Sequence, residues 1–343
     1  MKAVVKPSQA PGAEVKDVPM PVFGPADVLI KVKAAAICGS DIHIYRSSPT
    51  MLAMINPPLI FGHEACGEVV EVGDQVKSLK VGDLVAVETH IYCGVCHQCQ
   101  TGGPHVCENL AIFGVHTDGC FAEYARVPEN VCWKLPPDTS PDLGAIMEPI
   151  GVAVHGVLSG EVNGKTVVVF GCGPIGIFAI QAATIWGATR VFAVEVAPKR
   201  LDLARQCSPT TTFFNPKEVD AVEAIIEANG GQGVDVCLDY TGNNQAISQA
   251  LKLVKARGRV SLVGLPGQPL TLDVAAGVVL KDAKVLGTCG RLIWDTWWQI
   301  KSLLDSGKFD PVKVITHRLP LTEVKNAIEL AESGETGKII IYP

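Results

Sequence analysis

The spacing of apolar positions changes near residue 141 and divides the chain there. Before that point, short apolar runs at 3–6, 28–34, 65–72 and 81–87 are punctuated by Pro11, Pro19, Pro21, Pro25 and by Gly73-Asp74 and Gly82-Asp83. Short alternating runs predict half-buried strands, and Gly-Asp predicts turns, because glycine tolerates positive φ and aspartate bonds its own backbone. A small, mostly antiparallel β-barrel of irregular strands follows. Beyond 141, helical patterns at 141–158, 176–186, 200–204, 221–228 and 245–253 alternate with apolar runs at 165–170, 191–194, 234–238 and 259–263. That rhythm predicts an α/β fold with a doubly wound parallel sheet. It stops after 284–287, and helices at 294–304 and 321–331 then lead to a last strand at 338–342. The tail is expected to return to the first domain, with bounds of 1–149, 150–290 and 291–343.

The first parallel strand runs into Gly171-Cys172-Gly173-Pro174-Ile175-Gly176, which fits G-x-G-x-x-G in the position where a strand opens into a helix. The first glycine permits the turn, the second admits a pyrophosphate to the backbone, and the third lets helix and sheet pack. Glu195 closes the next strand, 19 residues after Gly176, where a carboxylate accepts ribose hydroxyls and repels a 2′-phosphate. NAD is therefore expected over NADP, although Arg200 beside Lys199 could receive such a phosphate. Asp239 to Gly242 and Gly264 to Gly267, including Leu265, follow parallel strands and are expected at the cofactor crevice.

Composition narrows the partners. With 48% hydrophobic and 19% charged residues and a formal charge of −6, the chain lacks the basic stripe that nucleic acid demands. The apolar stretch 167–186 contains Gly171, Gly173, Pro174, Gly176 and Gln181, so strand, turn and buried helix explain it better than a membrane span. Twelve cysteines without a signal-like N-terminus predict thiols and metal sites in a reducing, cytoplasmic setting rather than a disulfide scaffold.

Four of those cysteines, Cys93, Cys96, Cys99 and Cys107, have the spacing C-x2-C-x2-C-x7-C, which can close on one tetrahedral metal. Structural zinc is the expected occupant; an iron–sulfur cluster and simple buried thiols are the alternatives. A second set, Cys38, His63, Glu64 and Glu148, offers thiolate, imidazole and carboxylate groups that can hold zinc and leave a place for substrate. Sequence spacing alone does not join residues so far apart.

Together, the segments 36–45, 62–64, 88–91, the four-cysteine lobe, Gly119 to Tyr124, Glu148-Pro149, the glycine turn and Ile315 to Arg318 resemble the zinc-dependent medium-chain alcohol dehydrogenases over nearly all 343 residues. The resemblance implies a GroES-like β-barrel catalytic domain with an inserted Rossmann domain, two zinc ions per subunit, NAD and a homotetramer. It implies catalytic zinc between Cys38, His63 and Glu148, with Glu64 interchangeable or nearby, and structural zinc on Cys93, Cys96, Cys99 and Cys107. It further implies that Ser40 and then His43 carry away the alcohol proton, and that His90 stands near the substrate. The expected substrate is a small secondary alcohol. Within the family, His90, residues 295–297 and Ile315 to Arg318 narrow it toward L-threonine, giving 2-amino-3-oxobutanoate. Arg46-Ser47-Ser48 departs from the Asn-Glu-Trp-like pattern expected there and keeps a polyol or vicinal diol as an alternative substrate, and an NAD-binding crystallin-like protein is the non-enzymatic one. Arg291 is a candidate for a substrate carboxylate.

Overall fold

A computed structural model describes residues 1–343. The chain forms two compact units, Met1–Pro149 with Ile315–Pro343, and Ile150–Val314. In the first, seven strands make one curved sheet in the order Cys132–Lys134, Leu84–Val87, Glu64–Val72, Asp27–Ala36, Lys338–Tyr342, Ile315–Pro320, with Tyr124–Pro128 also paired to Asp27–Ala36. Neighbours are antiparallel except Ile315–Pro320 and Lys338–Tyr342. The inward positions of these strands, among them Val28, Ile30, Val32, Val69, Val85, Val127 and Ile341, form one core with Phe61, Phe113 and Phe121.

The register of three of these strands matters for chemistry. Ala36 pairs with Glu64 on one side and with Ile340 on the other. Because both pairings are antiparallel, Cys38, two residues beyond Ala36, comes opposite Lys338, two residues before Ile340. A ladder of backbone hydrogen bonds thus assembles residues from both ends of the chain.

The second unit holds a six-stranded, wholly parallel sheet in the order Thr212–Phe214, Arg190–Val194, Thr166–Phe170, Val234–Asp239, Val254–Leu262, Lys284–Gly287. Its central strands are buried on both faces, which is why they read as unbroken apolar runs. Helix Ala221–Ala228 is capped by Asp220, whose Oδ1 accepts from the backbone N–H of Val222 at 2.9 Å and Glu223 at 3.1 Å. Asp220→Ala is expected to cost about 1 kcal/mol, a fall of roughly 2–4 °C in the melting transition of this unit. An unchanged transition in scanning calorimetry would remove the cap from the account.

One expectation needs correction. Residues 291–314 belong to the second unit rather than to the returning tail: helix Asp295–Asp305 buries Trp297, Ile300 and Leu303, and the Phe309 ring meets Phe178 edge-on with centroids 6.4 Å apart. The amphipathic stripe revealed a helix there but not which core it would join. A short π-helical turn, Ala275–Val279, precedes the edge strand Lys284–Gly287 of the parallel sheet. No helix is long and apolar enough to cross a membrane.

Candidate active site and metal centres

Cys93, Cys96, Cys99 and Cys107 converge, with all four sulfurs within 4.8 Å of one another. Separations are 3.4 Å for Cys96 to Cys99, 3.7 Å for Cys96 to Cys107 and 3.5 Å for Cys107 to Cys93. Disulfides need about 2.05 Å, whereas a tetrahedron with arms of about 2.3 Å has edges of about 3.8 Å. The spacing therefore fits one zinc and is too tight for a multi-iron cluster. Gly94 and Gly102 take φ of +76° and +87° and allow the chain to reverse between ligands. Backbone N–H groups of Val95 and Cys96 pull the Cys93 thiol down to about 6, while burial and the adjoining thiols push Cys99 up to about 12. Without a cation, four neighbouring thiols cannot all ionise.

The second cluster joins Cys38, His63 and Glu64, whose ligand atoms also lie within 4.8 Å of one another. Cys38 precedes helix Gly39–Tyr45 and its backbone N–H donates to Asp41 Oδ2 at 2.8 Å. Asp41 Oδ1 lies 3.6 Å from His63 Nδ1, and Ser40 Oγ lies 3.5 Å from His63 Nε2. Asp41 Oδ1 and His63 Nδ1 are both buried and neither has a closer hydrogen-bond partner, so the carboxylate faces one ring nitrogen and orients the ring for a metal at the other. Burial raises the Cys38 thiol, but the adjacent His63 outweighs it and brings the group down to about 7. Burial opposes charge on His63 as well, yet Asp41 and Cys38 drive its net shift upward. A thiol, an imidazole and a carboxylate of this kind fit zinc.

Glu148 falls outside that close set. It is buried and accepts from Thr89 Oγ1 at 3.4 Å. Thr89 also approaches His90 Nδ1 at 3.5 Å, and that nitrogen meets Glu88 Oε1 at 2.7 Å, so His90 and Glu148 share a local network. Helix Gly39–Tyr45 places Ser40 and His43 three residues apart, on one face, with Ser40 half-buried and His43 exposed. Burial raises the Glu64 carboxyl despite the Lys338 ammonium, which is 2.5 Å from both of its oxygens.

In the other unit, Gly171 has φ +93°, and a Cβ on Gly176 would fall 1.9 Å from the Gly171 carbonyl oxygen. Helix Pro174–Ile185 starts from this turn, with Ile175 in its first turn. Glu195 accepts from the backbone N–H of Cys172, Val196 and Ala197 at 2.8, 2.8 and 2.9 Å. A cavity of about 550 Å³ is lined by Gly171, Gly173, Glu195, Arg200, Lys217 and Thr241. Leu265 is 92% exposed, its backbone against Gly242. Arg291 is wholly buried, with its Cδ close against Gly151. The glycine turn, the helix N-terminus and the acidic strand end fit a dinucleotide.

The family description "Alcohol dehydrogenase GroES-like domain" matches residues 24–137, and "Zinc-binding dehydrogenase" matches residues 174–306. The chain is a zinc-dependent medium-chain alcohol dehydrogenase. It is similar to the L-threonine 3-dehydrogenase of Symbiobacterium thermophilum, 45% identical over 100% of this chain and 98% of that one. The enzyme of the same name from Caldanaerobacter subterraneus subsp. tengcongensis is 46% identical, over 100% and 99%. Among solved structures, 2R,3R-butanediol dehydrogenase from Bacillus subtilis superposes with a TM-score of 0.90 at 32% identity, and alcohol dehydrogenase from Thermus sp. ATN1 with 0.91 at 30%, each over 100% of this chain and 99% of the other. This alcohol dehydrogenase is an NAD-linked oxidoreductase acting on a small-molecule alcohol.

Sequence reasoning passed over Asp41, Glu88 and Lys338. Asp41 was detectable as the acidic third residue of a helix, a position that bonds back to the residue before the helix. Lys338 carried no local signal.

Proposed function

We propose that this dehydrogenase oxidises L-threonine to 2-amino-3-oxobutanoate with NAD. The observation that carries the reading is full-length identity of 42–46% to enzymes named L-threonine 3-dehydrogenase, from Symbiobacterium to Pyrococcus. Cys38 and His63, with Glu64 or Glu148, hold the catalytic zinc, and Cys93, Cys96, Cys99 and Cys107 the structural one. When bound, zinc polarises the substrate hydroxyl as a Lewis acid and NAD accepts the carbinol hydride. Ser40 takes up the hydroxyl proton and His43, one helical turn on and exposed, delivers it to solvent. Asp41 holds the His63 ring through Nδ1, and the network of Glu88, Thr89 and His90 fixes a polar wall beside Glu148.

Glu195 and the glycine turn, with Arg200, Pro174, Ile175 and Leu265 around them, bind the dinucleotide. Glu195→Ala is expected to raise KM for NAD about 10–100-fold, the worth of a charge-assisted hydrogen-bond set, and to narrow the NAD over NADP preference. Unchanged cofactor kinetics would exclude Glu195 from ribose recognition.

The reading is tested by NADH formation from L-threonine, D-threonine, L-allo-threonine, 2,3-butanediol, sorbitol and xylitol at equal concentration. A kcat/KM at least roughly tenfold higher for L-threonine is the expected result. A diol preference would favour the second reading, which the departure of Arg46 to Ser48 from the Asn-Glu-Trp-like pattern supports; in this chain Arg46 is paired to Glu332 and Ser47 accepts from the buried Lys6. We also propose a cytoplasmic homotetramer built from dimers, supported by free thiols throughout and by the open edge strand Lys284–Gly287 with exposed Val285.

A further inference from the structure

Lys6 ends the first strand, Lys2–Lys6, and is wholly buried. Its ammonium has three protons to donate and four oxygens around it: Ala10 O and Ser47 Oγ at 2.6 Å each, and Gly12 O and Tyr45 O at 3.3 Å each. All four are neutral, so the charge is offset by the negative end of helix Gly39–Tyr45, whose last carbonyl is that of Tyr45. Burial lowers the pKa of the amine accordingly. A buried ammonium without a carboxylate is costly, and here all of its bonds go to one helix end and to the loop that follows its own strand.

That helix end has a defined geometry. Ser47 N–H donates to Ile44 O at 3.1 Å and Ser48 N–H to His43 O at 3.0 Å. These are the paired bonds of a Schellman turn, which needs a left-handed residue at its corner, usually glycine. Ser47 stands there with φ +60°. Its hydroxyl is what the ammonium grips, so a residue in a sparsely populated conformation is held in place by a bond that glycine could not make. The carbonyl from which the turn hangs is that of His43, the exposed member of the Ser40 and His43 pair. Gly12 N–H adds a bond to Tyr45 O at 2.8 Å, which ties the loop after the first strand to the same end.

We propose that Lys6 is a positioning residue for the proton relay, which locks the turn at Tyr45 and Ser47 and so holds His43 in register with Ser40. This rests on the reading of Ser40 and His43 as the path of the hydroxyl proton. Lys6 touches no reacting atom; it acts through the backbone of His43. Without the ammonium, Ser47 relaxes out of the left-handed region, the bond from Ser48 to His43 O opens, and the last helical turn frays with His43 in it. Cys38, at the opposite end of the helix, stays fixed by its own bond to Asp41.

The experiment measures kcat/KM for the preferred alcohol in zinc-replete, full-length protein, with and without 2,4,6-trimethylpyridine at fixed pH and ionic strength. This base accepts protons near neutral pH, and its methyl groups keep it off metal ions. H43A sets the scale: it should be slow and be partly restored by the added base, which takes the proton that the missing imidazole would carry. K6M is expected to lose about tenfold, to regain at least about threefold with the base, and to keep two zinc ions per chain and the native KM for NAD. K6M/H43A should match H43A within about twofold, because losses on one path do not add. S47G separates positioning from stability. Glycine suits the left-handed corner, so its melting transition should fall by no more than about 2 °C, yet without the hydroxyl it should lose at least about threefold in kcat/KM, again restored by the base. A loss below about threefold in K6M, a loss that the base leaves unchanged, or losses that multiply in K6M/H43A overturn the proposal and leave Lys6 a structural residue. Should K6M fail to fold, S47G decides: a loss restored by the base supports the proposal, and any other result overturns it. If H43A is native in rate or unresponsive to the base, the relay reading falls together with the proposal, an outcome distinct from failure of the Lys6 and Ser47 variants alone.

Discussion

Replacing His63 with alanine is expected to lower kcat/KM for the preferred alcohol by about three orders of magnitude or more, and to reduce bound zinc from two ions per chain to one. The imidazole is buried between Ser40 Oγ and Asp41 Oδ1. Lewis-acid polarisation is worth several kcal/mol, and about 4 kcal/mol corresponds to roughly a thousandfold in rate. The surrounding sheet does not depend on the ring, because Phe61, Phe121 and Ala65 pack the core on either side of it. Far-ultraviolet circular dichroism and NAD binding by the other unit should therefore stay unchanged. Retention of two zinc ions with a rate within about tenfold of native would refute the assignment of His63 to the metal.

How much of this was legible in the sequence depends on how local each signal is. The glycine turn is contiguous and every atom it needs lies within six residues, so strand, fingerprint and helix are all legible in the sequence. The thiol lobe is nearly as local: Cys93 to Cys107 span a loop whose spacing fits a tetrahedron, and the measured sulfur separations fit the same figure. Cys38, His63 and Glu64 were suggested by residue type and family resemblance, but their meeting depends on the strand pairings around Ala36. Lys338 shows the limit most clearly. It lies 274 residues from Glu64 in the chain, at the head of an apolar strand whose lysine reads like any solvated strand end, and only the register across three strands turns it inward. Asp295–Asp305 failed differently, since amphipathicity predicts that a helix buries a face and says nothing about which core receives it.

The other large effect should come from the thiol lobe. Cys107→Ser is expected to remove one zinc while the Cys38 and His63 cluster keeps its own, and to make the segment 93–109 the first site of cleavage by a nonspecific protease. The lobe has little else to hold it: helix His97–Gln100 and the 3₁₀ turn Pro104–Val106 are one turn each, and Val95 and Val106 stay exposed. Much of its order instead runs through sulfur, with the backbone N–H groups of Cys93 and Asn109 directed at Cys107 Sγ at 3.4 and 3.3 Å. A hydroxyl is a poor zinc ligand, and structural zinc in small lobes contributes about 10–16 kcal/mol of apparent binding energy, which is folding energy for the segment that carries it. The damage should spread to the active site through one short path, because the strand His90–Ile91 leads directly into Cys93 and pairs with Ala111–Ile112 on the far side of the lobe. Loosening both strands moves His90, so KM for the alcohol should rise while cofactor affinity holds. Native protease resistance and unchanged KM in a C107S protein with one zinc would mean that the lobe folds without its metal and that His90 is fixed by Glu88 alone.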